Sequence, residues 1–271
     1  MQVIGLCRFS YPGMGGFQVE HETLQDRIDY LYAEDRLEER FRFFETITLP
    51  SIRAQVDPDF TFIVLIGDSL PQVHHERLQA LLRDVPQAVL VSRPPGPHRG
   101  VMKEVINSVR ARRAEPCLQF RLDDDDAVAV TFVARLRQAG AEVAGLLDAH
   151  RHIALDFPKG YVARPEATGL SAAEIFEPFW TPGLALMVRG DVDLTIMNFA
   201  HHRMGRVMPS LSFPEEIMRF RGHNDFNDSR QKRKVKRFDL KPLDAAGEQL
   251  FRDAYNIDAD HVRKVFGAAA G

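Results

Sequence analysis

The feature that most constrains the fold is a regular alternation of apolar, β-branched runs with helical patterns in residues 1–122. Runs at 3–9, 60–66, 88–92 and 117–122 predict strands, and the segments between them carry apolar residues at helical spacing. This order favours a parallel sheet covered by helices on both faces. The first connection, residues 10–59, is unusually long, so we predict that part of it covers a site.

The second half of the chain has a more mixed pattern. Its predicted elements are a helix at 127–139, a hairpin of strands 153–157 and 161–164, a buried strand at 183–188, a helix at 195–204 and a helical region at 245–266. In the first connection, a helical pattern begins near Asp35, and Pro50 is predicted to kink or end it because proline lacks a backbone N–H. No clear linker divides the chain. We therefore predict one α/β domain followed by a helical C-terminal extension.

Four consecutive aspartates, Asp123, Asp124, Asp125 and Asp126, directly follow the predicted strand 117–122. In open α/β sheets, ligands bind at the carboxyl ends of the strands. Carboxylates that converge there need a cation, and hard ions such as Mg²⁺ or Mn²⁺ take oxygen ligands and often bridge to phosphates. An acidic first turn of the next helix would account for Asp126 and Asp125 but not for four acids. The run therefore predicts a divalent metal site.

Composition excludes several classes of protein. The 35 Lys and Arg against 38 Asp and Glu give a net charge of −3, which argues against a nucleic-acid binder. Two cysteines, Cys7 and Cys117, are too few for a disulfide scaffold. The N-terminus lacks a signal-peptide pattern and no apolar run reaches membrane-spanning length, so we expect a soluble, cytoplasmic protein.

A basic segment stands out against the near-neutral total. Six of the eight residues from Arg230 to Arg237 are Lys or Arg. A solvated surface turn would explain it; contact with the phosphates of a ligand, or peripheral contact with an anionic membrane, would give it a function. We predict that this segment meets the acidic run across a metal-bound phosphate ligand.

Five segments of the sequence resemble one known family. They are RFS at 8–10, RFRFFETITLPSIRAQ at 40–55, FTFIVLI at 60–66, RLDDDDAV at 121–128 and RGHNDFND at 221–228. The acidic segment looks like the Asp-x-Asp motif of nucleotide-sugar-dependent glycosyltransferases with the GT-A fold. More narrowly, the chain resembles the bacterial putative rhamnosyltransferase family, over most of its length to about residue 240.

The resemblance implies a GT-A-like (Rossmann-like) mixed, mainly parallel sheet flanked by helices, with a nucleotide-sugar-binding catalytic domain at 1–240 and a helical extension at 241–271. It implies a metal-dependent glycosyltransferase that moves a sugar, rhamnose by the family's name, from a nucleotide-diphosphate donor to a glycan or other cell-surface hydroxyl acceptor. The implied donor-binding residues are Arg8, Phe9, Ser10, Asp68, Arg121, Asp123 and Asp124. The implied ligands of Mn²⁺ or Mg²⁺ are Asp123, Asp125, Asp126 and His223. Because Asp124 stands between Asp123 and Asp125, the register of the run on the metal stays open.

An inverting mechanism would also need a carboxylate base that takes the proton of the acceptor hydroxyl. The late segments offer several acids, and the sequence does not choose among them. The candidates for this catalytic role are Asp225, Glu215 and Asp191, with Asp193 and Glu216 beside them. Trp180, the only tryptophan, fits either stacking on an acceptor sugar or a place in the core.

Two other functions stay open at this point. A nucleotidyltransferase could use a similar sheet and acidic metal site, although the loop YPGMGG after the first strand lacks the basic residues such enzymes carry. A non-catalytic module could use the acids to bind Ca²⁺, although the run lacks EF-hand spacing.

Overall fold

The computed structural model describes residues 1–15, 21–111, 114–223 and 238–268 of the chain. The described strands are β1 (Gln2–Arg8), β2 (Thr61–Gly67), β3 (Ala88–Arg93), β4 (Cys117–Asp123), β5 (Ala127–Val128), β6 (His152–Asp156), β7 (Lys159–Glu166), β8 (Gly169–Phe176), β9 (Leu184–Val188), β10 (Ser210–Ser212), β11 (Ile217–Gly222) and β12 (Lys241–Pro242). The described α-helices are α1 (Leu24–Leu31), α2 (Glu34–Phe43), α3 (Leu49–Arg53), α4 (Gln72–Leu82), α5 (His98–Ser108), α6 (Phe132–Glu142), α7 (Met204–Val207), α8 (Ala245–Tyr255) and α9 (Ala259–Gly267).

The main sheet has seven strands in the order β10-β6-β9-β4-β1-β2-β3. Strands β4, β1, β2 and β3 are parallel neighbours, and β9 runs antiparallel to both β4 and β6. Helices connect the parallel strands, and apolar side chains fill two clusters, one on each face. The predicted mixed, mainly parallel sheet flanked by helices is confirmed.

The first connection, between β1 and β2, is helical over most of its length. It contains α1, α2, a π-helical turn at Phe44–Thr48 and α3. The prediction that Pro50 ends or kinks the helix is wrong in position, because the helical path continues through Pro50 to Arg53. Pro50 lies in the first turn of α3, where its missing N–H costs little, and the irregularity is the π-helical turn before it.

A second sheet has five strands in the order β12-β8-β7-β11-β5. The predicted hairpin of 153–157 and 161–164 is wrong, because β6 belongs to the main sheet while β7 pairs with β8 in the second. Gly160 is the reason that the turn pattern misleads. A Cβ on Gly160 would lie 2.0 Å from the carbonyl oxygen of Arg219, so this glycine allows β11 to approach rather than forming a turn.

Two predicted helices also differ from the structure. The helix predicted at 127–139 begins only at Phe132, because Ala127 and Val128 form β5 and pair with β11. The segment 195–204 contains two 3₁₀ turns, Ile196–Asn198 and His201–Arg203, rather than one continuous helix.

The C-terminal helices pack onto the second sheet. Phe251 and Tyr255 of α8 are fully buried in the larger apolar cluster, and the Tyr255 hydroxyl donates to the carbonyl oxygen of Arg219 at 2.7 Å. Strand β12 adds to the edge of the same sheet through β8. Within the described ranges, every helix is too short or too polar to span a bilayer.

Candidate functional site

The candidate site lies at the carboxyl edge of the main sheet. Strands β1, β2 and β4 are parallel neighbours, and Arg8 at the end of β1 lies level with Leu65 of β2 and with Asp123 of β4. Asp68 follows directly after β2 and is exposed. The structure therefore brings Arg8, Asp68 and the four aspartates to one edge, as expected for parallel strands.

The four aspartates have different partners. Asp123 is the accessible member, with a side chain that is 41% exposed and that accepts from Arg8 at 3.0 Å. Asp124 and Asp125 are buried and share one guanidinium, that of Arg40, at 3.0 Å each. Asp126 is buried too, and its carboxylate accepts a hydrogen bond from the backbone N–H of Gly222, the last residue of β11, at 3.0 Å. The run thus divides into one exposed and three buried carboxylates.

Burial and crowding set the protonation of these acids. Asp123 is only partly buried, and the guanidinium groups of Arg8 and Arg121 outweigh that burial and hold its pKa well below the usual range. For Asp124, burial raises the pKa to about 6 despite Arg40. Burial also raises the pKa of Asp125, and burial together with the neighbouring carboxylates raises that of Asp126 well above normal. The charges of Arg40, Arg36 and Arg221 do not offset the burial and mutual repulsion of these carboxylates, so a cation bound beside them would stabilise their charged forms.

A divalent ion fits this donor set only together with a phosphate ligand. Among the residues described, no three His, Cys, Asp or Glu side chains are arranged as a metal cage. Arg40 already occupies one oxygen each of Asp124 and Asp125. Mg²⁺ in nucleotide sites, however, uses one or two carboxylates and completes its shell with phosphate and water oxygens. Asp123 and Asp125 can supply that number.

Arginines and neutral histidines surround the exposed aspartate. Arg8 also contacts His98 at 3.0 Å, and Arg121 lies 3.4 Å from both Thr181 Oγ1 and the ring of His201. Burial and the nearby arginines lower the pKa of His98 to about 3 and that of His201 to about 4. At neutral pH the two imidazoles are therefore uncharged, and the positive charge around Asp123 comes from the arginines, whose guanidinium groups have the geometry that phosphate oxygens bind.

Phe9 and Ser10 follow β1 and are both buried, so the predicted donor contact of Phe9 is corrected, and that of Ser10 stays a prediction. Phe9 is fully buried, with its ring 4.7 Å from that of Phe41 and 5.3 Å from that of Phe44, so it packs in the core and does not face the nucleotide as predicted. Ser10 has a φ of 47°, and its hydroxyl accepts from Arg36 at 2.9 Å. This contact holds the turn that leaves β1 at the edge of the site.

Two arginines of α2, Arg36 and Arg40, are functional candidates that the sequence analysis missed. Both are buried, four residues apart, on the face that also carries Leu37 and Phe41. Charged side chains on an apolar helix face need a buried partner. Their spacing among Leu37 and Phe41 was the available indication that this helix reaches an acidic site.

Two of the predicted bases lie far from the acidic run. Because β9 is antiparallel to β4 and Val188 lies opposite Cys117, Asp191 lies at the amino edge of the sheet, roughly 20 Å from the run. Glu215 lies two residues before the start of β11, whereas Gly222, at the other end of that strand, contacts the run. The seven residues that follow Glu215, up to Gly222, span roughly 23 Å in extended conformation, which separates Glu215 from the run by about that distance. Neither is placed to act beside the run. The same two segments carry Asp193 and Glu216.

The remaining predicted residues follow β11. A Cβ on Gly222 would lie 2.1 Å from the carbonyl oxygen of Asp125, so β11 touches the run closely. His223 comes next in the chain and therefore lies beside the run, where its role as a metal ligand stays a prediction. Asp225 and the basic segment 230–237 lie outside the described residues, so the predicted meeting of the basic segment with the acidic run stays a prediction.

Arg219 and Arg221, two alternate residues of β11, hold the loop 177–181 next to the site. The sequence analysis did not predict this role for either arginine. Arg219 forms an ion pair with Asp156 at 3.2 Å, and the two side chains are 1% and 0% exposed, respectively. Arg219 also donates a hydrogen bond to the carbonyl oxygen of Glu177. Arg221 lies over the ring of Trp180 at 4.2 Å. The loop that carries Trp180 is thereby fixed to the strand that reaches the acidic run.

One known family matches most of this chain. A family model described as "Putative rhamnosyl transferase" matches residues 2–236. No curated protein matches the sequence. Similar solved structures include S. aureus TarS 1–349, with 9% identity and a TM-score of 0.41 over 82% of this chain and 60% of that one.

Two further structures are similar. The complex of S. aureus TarS 1–349 with UDP-GlcNAc has 10% identity and a TM-score of 0.41, over 86% of this chain and 62% of that one. UDP-glucose pyrophosphorylase complexed with UDP-glucose has 10% identity and a TM-score of 0.30, over 71% of this chain and 78% of that one. The chain thus spans about three fifths of the length of TarS 1–349.

Proposed function

This chain belongs to the putative rhamnosyl transferase family, and we propose that it is a glycosyltransferase that uses a nucleoside-diphosphate sugar. The proposed sugar is rhamnose, and the proposed acceptor is a hydroxyl of a glycan or other cell-surface molecule. The observation that carries the proposal is the pairing of exposed Asp123 with Arg8 at the carboxyl edge, next to three buried aspartates. The family assignment favours sugar transfer over the nucleotidyltransferase and the calcium-binding module.

The diphosphate would lie against the arginines of the edge. Arg8 and Arg121 present guanidinium groups there, and the neutral His98 contacts Arg8 and limits its movement. Guanidinium groups bind phosphate oxygens through paired, charge-assisted hydrogen bonds. As the bond between sugar and diphosphate breaks, these residues stabilise the negative charge that develops on the leaving nucleotide.

A divalent ion, Mn²⁺ or Mg²⁺, would be held by Asp123 and Asp125, with His223 close enough along the chain to contribute. When bound, it would neutralise the diphosphate and favour its departure. The guanidinium of Arg40 holds the carboxylates of Asp124 and Asp125 in place, at 3.0 Å from each. The arrangement supports binding of metal and nucleotide together rather than of metal alone.

Asp225 is the remaining candidate for the base that takes the acceptor proton. It comes three residues after Gly222, whose backbone N–H contacts Asp126, so the chain enters its segment at the edge of the site. The other two candidates, Asp191 and Glu215, lie at distant ends of their strands. A cytoplasmic location, and contact of the segment 230–237 with a membrane, are further parts of the proposal that rest on the sequence alone.

A donor screen tests the proposed function. Purified protein is incubated with UDP-, GDP-, dTDP- and CDP-linked sugars, including dTDP-rhamnose, and release of the free nucleoside diphosphate is measured with and without Mn²⁺. We expect slow donor hydrolysis for one nucleotide series, and its loss with EDTA. Release of pyrophosphate instead would show nucleotidyl transfer, and no turnover or binding of any donor would contradict the proposal.

A further inference from the structure

We propose that a surface beside the donor site binds an acceptor saccharide that carries an anionic group, an inference that rests on the proposed glycosyl transfer. We call it the Trp180 surface. It consists of the loop 177–181, Arg221 of β11, and the two short turns His201–Arg203 and Met204–Val207.

The centre of this surface is an aromatic ring beside a cation. Trp180 is half-buried, and the guanidinium of Arg221 lies 4.2 Å from its ring centroid. The next residue, Gly222, donates its backbone N–H to Asp126. The charge of Arg221 also acts on Asp125 and Asp126, so the stack lies close to the acidic run, and a bound acceptor would lie next to the donor. A flat, amphipathic indole supplies a large contact area for a sugar ring.

The loop that carries the ring is held before any ligand arrives. The backbone N–H of Phe179 donates to Asp156 at 3.0 Å, and Arg219 binds both Asp156 and the carbonyl oxygen of Glu177. Thr181 lies on the other side of Trp180 and accepts from Arg121 at 3.4 Å. A preorganised surface loses less conformational freedom on binding, as ligand sites require.

The charge of the surface selects an anionic ligand. Arg203 and Arg206 are exposed, and their turn packs on the loop so tightly that a Cβ on Gly205 would lie 2.4 Å from the ring of Phe179. Among the described residues, no carboxylate lies within ion-pair distance of Arg203 or Arg206, and Arg221 acts on the buried Asp125 and Asp126 without a direct ion pair. The loop 177–181 adds one acid, Glu177, to these three arginines, so the surface keeps a positive charge. Arginine clusters of this kind bind carboxylates and phosphates.

The single tryptophan makes the test direct, because tryptophan emission reports on Trp180 alone. The probes are oligogalacturonate, which carries carboxylates, a phosphorylated mannose oligosaccharide, and neutral oligosaccharides of matched length. We expect a saturable change in emission with one or both anionic probes, weakened by salt, and at least about tenfold weaker binding of the neutral ones.

Two variants separate this surface from the donor site. Arg221→Gln should weaken binding of the anionic probe at least about tenfold, as loss of a hydrogen bond to a charged group does. Nucleoside diphosphate binding should weaken by a clearly smaller factor, because Arg221 acts on Asp125 and Asp126 only through its charge. The matched control is Arg189→Gln, which removes an exposed arginine at the opposite edge of the sheet and should change neither.

Three results would overturn the inference. One is equal binding of neutral and anionic probes, and another is no emission change with any saccharide while a nucleoside diphosphate still binds; both leave the proposed function intact. The third is equal loss of saccharide and nucleotide binding in Arg221→Gln, which would place Arg221 in the donor site. Failure of the nucleotide itself to bind would instead contradict the proposed function.

Discussion

Arg40 holds the acidic run together, and its removal should have a large and pH-dependent effect. Its guanidinium lies 3.0 Å from both Asp124 and Asp125, and all three side chains are at most 9% exposed. In Arg40→Met, the shape of the side chain is roughly kept but two buried carboxylates lose their cation. Breaking a buried pair from one side costs about 3–5 kcal/mol. For a domain of this size, that corresponds to a fall in Tm of roughly 6–20 °C.

The pH dependence follows from the aspartates that remain. Burial raises the pKa of Asp124 to about 6, whereas an unfolded aspartate titrates near 3.9. The folded state therefore binds more protons between these values, and stability falls as the pH rises through this window. Without Arg40 the pKa rises further, so the window extends upward. The loss caused by Arg40→Met should be largest at pH 8 and at least about 1 kcal/mol smaller at pH 5.

Urea unfolding of the wild type and the variant at both pH values measures this effect. The matched control is Arg252→Met, which removes an ion pair of the same length, 3.0 Å to Asp258, from side chains that are 48% and 45% exposed. An exposed pair contributes less than about 1 kcal/mol, with little dependence on pH in this range. A loss in Arg40→Met no greater than in the control, or a loss equal at the two pH values, would refute this reasoning.

Three further predictions concern the surroundings of the site. Arg219→Met should destabilise the fold by about 3–5 kcal/mol, because it leaves the buried carboxylate of Asp156 without its cation. Adding Asp156→Asn should restore part of that loss, and a double variant that is less stable in urea than Arg219→Met would contradict a buried ion pair. Gly222→Ala should lower both Tm and nucleotide affinity, because its Cβ would lie 2.1 Å from the backbone oxygen of Asp125. Gly145→Ala, which has open space around it, should change neither, and equal effects of the two substitutions would refute the close contact. Burial raises the pKa of Cys7 well above normal, so a thiol reagent should label it only as fast as the protein unfolds, and rapid labelling in native buffer would contradict its burial.

The parallel core of the main sheet was predictable because its strands are continuous apolar runs. A run such as 60–66 is buried on both faces, and the residues that follow such strands meet at one edge whatever the details of the loops. The position of the acidic run followed from that rule, which depends only on local pattern and strand direction. Arg8 and Asp68 were instead implied by the resemblance to glycosyltransferases.

The errors arose where distant parts of the chain meet. Gly160 fits a turn by its neighbours, yet its real constraint is the close approach of β11, some sixty residues later. The helix expected from residue 127 begins late because the same strand pairs with Ala127 and Val128. Phe9 shares its segment with Arg8 and Ser10 but points into the core. Local patterns do not contain this information.

Nucleoside diphosphate binding to Asp123→Asn tests the central claim most directly, since Asp123 is the exposed carboxylate of the run and pairs with Arg8. Calorimetric titration with Mn²⁺ present compares it with the wild type and with Asp191→Asn, which changes an exposed aspartate at the opposite edge. We expect binding to the wild type and to Asp191→Asn with similar affinity, and a loss of at least about tenfold in Asp123→Asn. Equal affinity of all three proteins would contradict a donor site at the acidic run.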